Sequence, residues 1–149
     1  MTVVRIAFGY ALAVIVATML ASFAHTQMIV EGLENSGAAV TLKQRLSMSA
    51  GDLSGLAPQY GIVIAIGLFL GFLVAAALRR VLKPLAPIAY PLAGAAAIAT
   101  ALVLMPILLK LDGITPIAGA RTSLGFALQC LAGAAGGLAF ALVAVRKSA

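Results

Sequence analysis

The chain has 149 residues, 63% of them hydrophobic, with a mean hydropathy of +1.14 and a formal net charge of +6 from ten Lys and Arg against four Asp and Glu. A soluble domain is nearer ~45–50% apolar, so an ordinary globular fold is excluded, and the length leaves room for one compact bundle with no separate soluble domain. One cysteine, Cys130, excludes an internal disulfide and a dithiol redox pair.

Four apolar runs stand out, at 6–23, 60–78, 85–109 and 124–145; with their flanks they give spans of about 5–24, 60–78, 86–109 and 123–145. About 20 residues at ~1.5 Å each cross a ~30 Å hydrocarbon core, so each run is long enough to span. Arg5, Arg79, Arg80, Lys83, Arg146 and Lys147 fall on one side of the spans. Glu31, Glu34, Asp52 and Asp112 fall on the other, offset by Lys43, Arg45, Lys110 and Arg121. Short basic loops stay cytoplasmic, which predicts an all-α four-helix membrane bundle in a cell inner membrane with both termini inside. Basic residues at span ends orient helices and meet anionic lipid headgroups, so the positive charge implies membrane lipids as partners and no nucleic acid.

The first run resembles a signal sequence at Ser22-Phe23-Ala24, where small residues suit a peptidase. It exceeds the ~7–15 residues of an h-region, and nothing breaks the helix before that site, so a retained span is expected. Cleavage would leave three spans with the new N-terminus outside. The first helix is expected to run past the membrane through Glu31 and stop at Asn35-Ser36-Gly37. Thr41 and Gln44 then have the spacing of a capping box. Leu42, Leu46, Ser49, Leu53 and Leu56 form one helical stripe, predicting an amphipathic helix over about 41–57 that ends before Pro58 and caps the bundle on its outer side.

Gly67 and Gly71 in the second span, and Gly133 and Gly137 in the fourth, have GxxxG spacing. Lipid supplies no hydrophobic drive between helices, so small residues that allow close approach are expected to pack them, either within the chain or in an oligomer with itself or other membrane subunits. The connection 79–84 is tight and makes the second and third spans an antiparallel hairpin. Pro84, Pro87 and Pro91 fall where a helix begins, and Pro106 frees the carbonyl of Leu102 near the outer end of the third span.

No Asp, Glu, Lys, Arg or His occupies the middle of a span, which argues against ion carriers, proton relays and voltage sensors. Thr18, Ser22, Thr100, Gln129 and Cys130 are the markedly polar groups inside the membrane, and Gln129 is expected to hydrogen-bond across helices or line a shallow outer cavity. With Gln129, the outer-side residues His25, Asp52, Asp112 and Arg121 form the candidate ligand-binding or loop-locking set. His25 and Glu31 are six apart, off the i,i+4 spacing that ligands on one helix face need, and no metal, cofactor or catalytic residue is assigned. In length and span count the chain is similar to the small membrane subunits of tripartite tricarboxylate transporters, with no motif in common. Two other small families are argued against: the multidrug transporters with an intramembrane glutamate, and the tryptophan-rich translocator proteins.

The expectation is therefore a non-enzymatic accessory or assembly subunit of a membrane complex. The alternative is a small transporter or lipid-binding protein with its site at the outer end, between Arg121, Gln129 and the surface helix.

Overall fold

The computed structural model describes residues 3–81, 88–108, 110 and 116–145. The regular elements among them are α1 (Val3–Asn35), α2 (Leu42–Val81), α3 (Ala89–Leu108), a 3-10 turn at Ala118–Ala120, and α4 (Ser123–Phe140), which widens into a π-helical turn at Ala141–Val145. No strand occurs among the described residues. Four of these helices are long and apolar enough to cross a membrane. α1 and α3 each pack against both α2 and α4, so the four form a square with α1 diagonal to α3.

Local chemistry sets the helix ends. Gly37 adopts a φ of +89°, a left-handed conformation that glycine enters without a Cβ penalty. The Gly37 N–H donates to Glu34 O at 3.0 Å and the Ala38 N–H to Leu33 O at 3.1 Å, closing α1 with a Schellman motif. At the start of α2, Gln44 Oε1 accepts from the Thr41 N–H at 2.8 Å while the Gln44 N–H donates to Thr41 Oγ1 at 3.4 Å, the reciprocal pair of a capping box. Thr122 caps α4 by accepting from the Gly125 N–H. Pro91 lies in the first turn of α3, where its missing N–H has no intrahelical acceptor to lose.

The structure differs from the sequence expectation at 41–57. This segment is helical, but it does not end before Pro58; α2 runs unbroken through the proline for 40 residues. Proline removes a single backbone hydrogen bond, here to the Ser54 carbonyl, and side-chain pairing with α1 holds the segment in line. Arg45 bonds Glu34 at 2.6 Å and Gln27 at 3.3 Å, and Thr26 donates to Asp52 at 2.7 Å. The leucine stripe does not cap the bundle either. Leu42, Leu46 and Leu53 are 73%, 64% and 40% exposed, whereas Arg45, Met48, Ser49, Asp52 and Leu56 are the more covered positions. Polar residues on α1 decide the facing side, and they select polar partners. At about 1.5 Å per residue, α1 (33 residues) and α2 (40 residues) reach about 50 and 60 Å, well beyond a ~30 Å hydrocarbon core, so together they form a projecting hairpin.

Small residues bring the helices together. A Cβ on Gly133 would collide with Gly94 O and approach Ile98 Cγ1 to 2.5 Å, and one on Gly137 would collide with Tyr90 O, so α3 and α4 meet backbone to backbone. Gly136 lies against Ala13 and Ala17 of α1, and Gly71 against Ala93 and Ala97 of α3; Gly67 has an ordinary contact distance to Ala97. At the other end from the hairpin, Phe72, Tyr90 and Phe140 clasp α2, α3 and α4 with ring centroids 4.6 to 5.5 Å apart.

Candidate functional site

The most concentrated polar chemistry lies where the hairpin leaves the bundle. Gln129 of α4 is fully buried. Its Nε2 donates to Ala21 O of α1 at 3.0 Å, and its Oε1 accepts from the Tyr60 hydroxyl of α2 at 3.1 Å. One amide thus ties three helices together, with both its polar atoms engaged. Tyr60 is itself buried, so its hydroxyl has exchanged water for Gln129. On the neighbouring turns of α1, Thr18 Oγ1 and Ser22 Oγ are buried with no hydrogen-bond partner. The Thr18 hydroxyl lies close to Gly61, where a Cβ would approach it to 3.4 Å.

One turn further along α1 from Ala21, beyond the apolar run, His25 fixes the α3–α4 connection. Its Nδ1 accepts from the Gly119 N–H at 3.1 Å, which assigns the proton of the neutral ring to Nε2. A Cβ at residue 119 would approach His25 Cα to 2.6 Å and Nδ1 to 2.9 Å, so only glycine permits this contact. Ile117 and Ala120, flanking Gly119, are buried. Burial pushes the His25 imidazole below its ordinary range, and the Asp52 carboxylate opposes that shift. Asp52 accepts from the buried Thr26 hydroxyl and so couples α2 to the same turn of α1.

The sequence-derived set is therefore divided. His25 and Asp52 are neighbours, His25 bonded to the Gly119 turn and Asp52 to the adjacent Thr26. Gln129 lies deeper and is bonded to Ala21 and Tyr60 instead. Arg121 is exposed at the start of α4, its backbone N–H bonded to Ala118 O at 3.2 Å. Asp112 lies outside the described residues. Among the described residues, no three His, Cys, Asp and Glu side chains gather in a way that could hold a metal ion. Chemically, the arrangement aligns helices and seats a loop. Sequence reasoning missed Tyr60 as the partner of Gln129 and Gly119 as the partner of His25. Each pair is far apart in sequence, and the available signals were a polar tip at the start of a span and a glycine in a turn.

Among the described residues, grooves open between neighbouring helices on the sides of the bundle. One, of about 390 Å³, lies between α1 and α2 beside Thr18, Leu53 and Pro58. Another, of about 860 Å³, runs between α2 and α3 over Gly67, Gly71, Ala93 and Ala97. Neither includes Arg121 or Gln129. Compared with known protein families, curated proteins and solved structures, the chain matches none.

Proposed function

We propose that this protein is a non-enzymatic accessory or assembly subunit of an inner-membrane complex, with both termini cytoplasmic and the α1–α2 hairpin outside. The observation that carries this reading is the inverted hairpin. Its polar face is turned inward onto α1, through Arg45–Glu34 and Asp52–Thr26, and Leu42, Leu46 and Leu53 face away. An exposed apolar stripe beyond the spans suits docking against another membrane subunit. The inward-facing amides and hydroxyls support the reading from the other side. Gln129 and His25 are committed to internal bonds, as expected of a scaffold. The test is the pair of substitutions Leu42→Glu and Leu46→Glu. The fold retains them, because both positions are exposed, and a stoichiometric partner co-extracted with the wild type is lost. Retention of that partner by the double variant would contradict the docking role.

A second reading, a lipid-binding membrane protein, is favoured by one observation, the apolar groove between α2 and α3. The outer end near Gln129 offers it less, since that amide is already bonded at both polar atoms.

A further inference from the structure

Among the described residues, the α2–α3 groove has one charged lining residue, Arg79, and it lies at one end. From Val63 to Arg79 the groove follows α2 for 16 residues, about 24 Å at ~1.5 Å each, against a hydrocarbon core of ~30 Å. Its floor is Gly, Ala and Thr100, and its walls are Leu, Ile and Val side chains of α2 and Leu and Met side chains of α3. Arg79 closes the end near the aromatic clasp. Its guanidinium carbon lies 5.2 Å over the Tyr90 ring and its Nη1 donates to the Tyr90 hydroxyl at 3.2 Å. That uses one of the five N–H donors of the fork, and the buried Nε–H has no acceptor.

We propose that this groove holds an anionic phospholipid, with an acyl chain along the Gly67–Gly71–Ala97 floor and the phosphate on Arg79. The inference deepens the lipid-binding reading and is independent of the subunit reading. Charge complementarity selects the occupant. Arg79 and Arg80 lie in the last turn of α2, and Arg5, in the first turn of α1 at the same end of the bundle, donates to Val143 O. The described acids, Glu31, Glu34 and Asp52, all belong to the hairpin at the opposite end. A phosphate diester offers acceptors to the Nη donors of Arg79 that Tyr90 leaves open, while its chain covers the apolar wall. A partner's apolar helix laid in the same groove would cover the wall and leave those donors unmet.

The experiment uses the full chain, purified in mild detergent and stripped of lipid. It is titrated with phosphatidylglycerol or with phosphatidylcholine of identical chains, and bound lipid is read by native mass spectrometry. Wild type is expected to prefer phosphatidylglycerol by roughly ten-fold, the scale of one charge-assisted hydrogen bond. Arg79→Gln brings the preference close to one. Thr100→Phe, at an exposed groove position, lowers uptake of both lipids without altering their ratio. If Arg79→Gln fails to elute as a folded species, Arg79→Lys replaces it and retains a preference reduced several-fold. Equal uptake of both lipids by wild type, or a preference that survives Arg79→Gln, overturns the inference while the lipid-binding reading stands. Retention of neither lipid overturns both. A groove filled by a co-purified protein that Thr100→Phe expels overturns them as well.

Discussion

Replacing Gln129 by leucine removes two interhelical hydrogen bonds while nearly conserving side-chain volume. Each such bond in a membrane helix bundle contributes about 0.6 kcal/mol on average and up to about 1.7 kcal/mol. Tyr60, a residue only 2% exposed, would also have its hydroxyl left without an acceptor, a penalty of about 1–3 kcal/mol for a buried polar group. Together these give a loss of about 2–4 kcal/mol for Gln129→Leu. Tyr60→Phe removes one of the two bonds, and Gln129 keeps its donation to Ala21 O, so a smaller loss of about 1 kcal/mol follows. Combining the two substitutions removes donor and acceptor at once, so the double variant should be less damaged than the sum by about 0.5–1.5 kcal/mol. The assay is an SDS titration in mixed micelles, followed by the near-UV dichroism of the tyrosines that remain. Additive effects within a few tenths of a kcal/mol, or a Gln129→Leu variant as stable as wild type, would refute the three-helix role of this amide.

Other consequences are equally direct. Gly133→Leu must push α3 from α4, because even a methyl meets the Gly94 carbonyl; a loss above the ~1–3 kcal/mol usual for overpacking, with aggregation in gel filtration, is expected. Gly55→Ala in the same assay has open space around it and should stabilise α2 by about 0.5–1 kcal/mol. Pro58→Ala restores an N–H to a continuous helix and should stabilise it by roughly 1–3 kcal/mol; a destabilised variant would show that a helix ends at this point. His25 contributes stability as the neutral ring, because its imidazole is held below its ordinary range. That contribution is present above the unfolded value of about 6.5 and is lost as pH falls through the lower folded value. Exchange of the Gly119 amide hydrogen, measured against its intrinsic rate, should therefore accelerate on acidification, and His25→Gln should flatten that dependence.

How much of this was legible in the sequence follows from the range of each interaction. The four spans and the stop at Gly37 rest on contiguous composition or on contacts a few residues apart, as does the Thr41–Gln44 cap. All can be read along the chain. Pro58 and the leucine stripe misled for a shared reason. Both signals treat the segment as a helix meeting water or a core by itself, whereas Glu34, Gln27 and Thr26 on α1 supply polar partners that turn Arg45 and Asp52 inward. Gln129 was recognisable as an intramembrane polar group, but Tyr60 lies 69 residues away and nothing local connects them. Arg79 illustrates the same limit. Its charge indicates topology from sequence, and only the packing of α2 on α3 sets it over Tyr90 at the mouth of a groove.

The most direct test of the subunit reading is the composition and mass of the particle extracted from its own membranes in mild detergent, determined by mass spectrometry and light scattering. The account predicts this chain together with a different membrane protein in fixed stoichiometry. A particle containing this chain alone, with or without bound lipid, would contradict it.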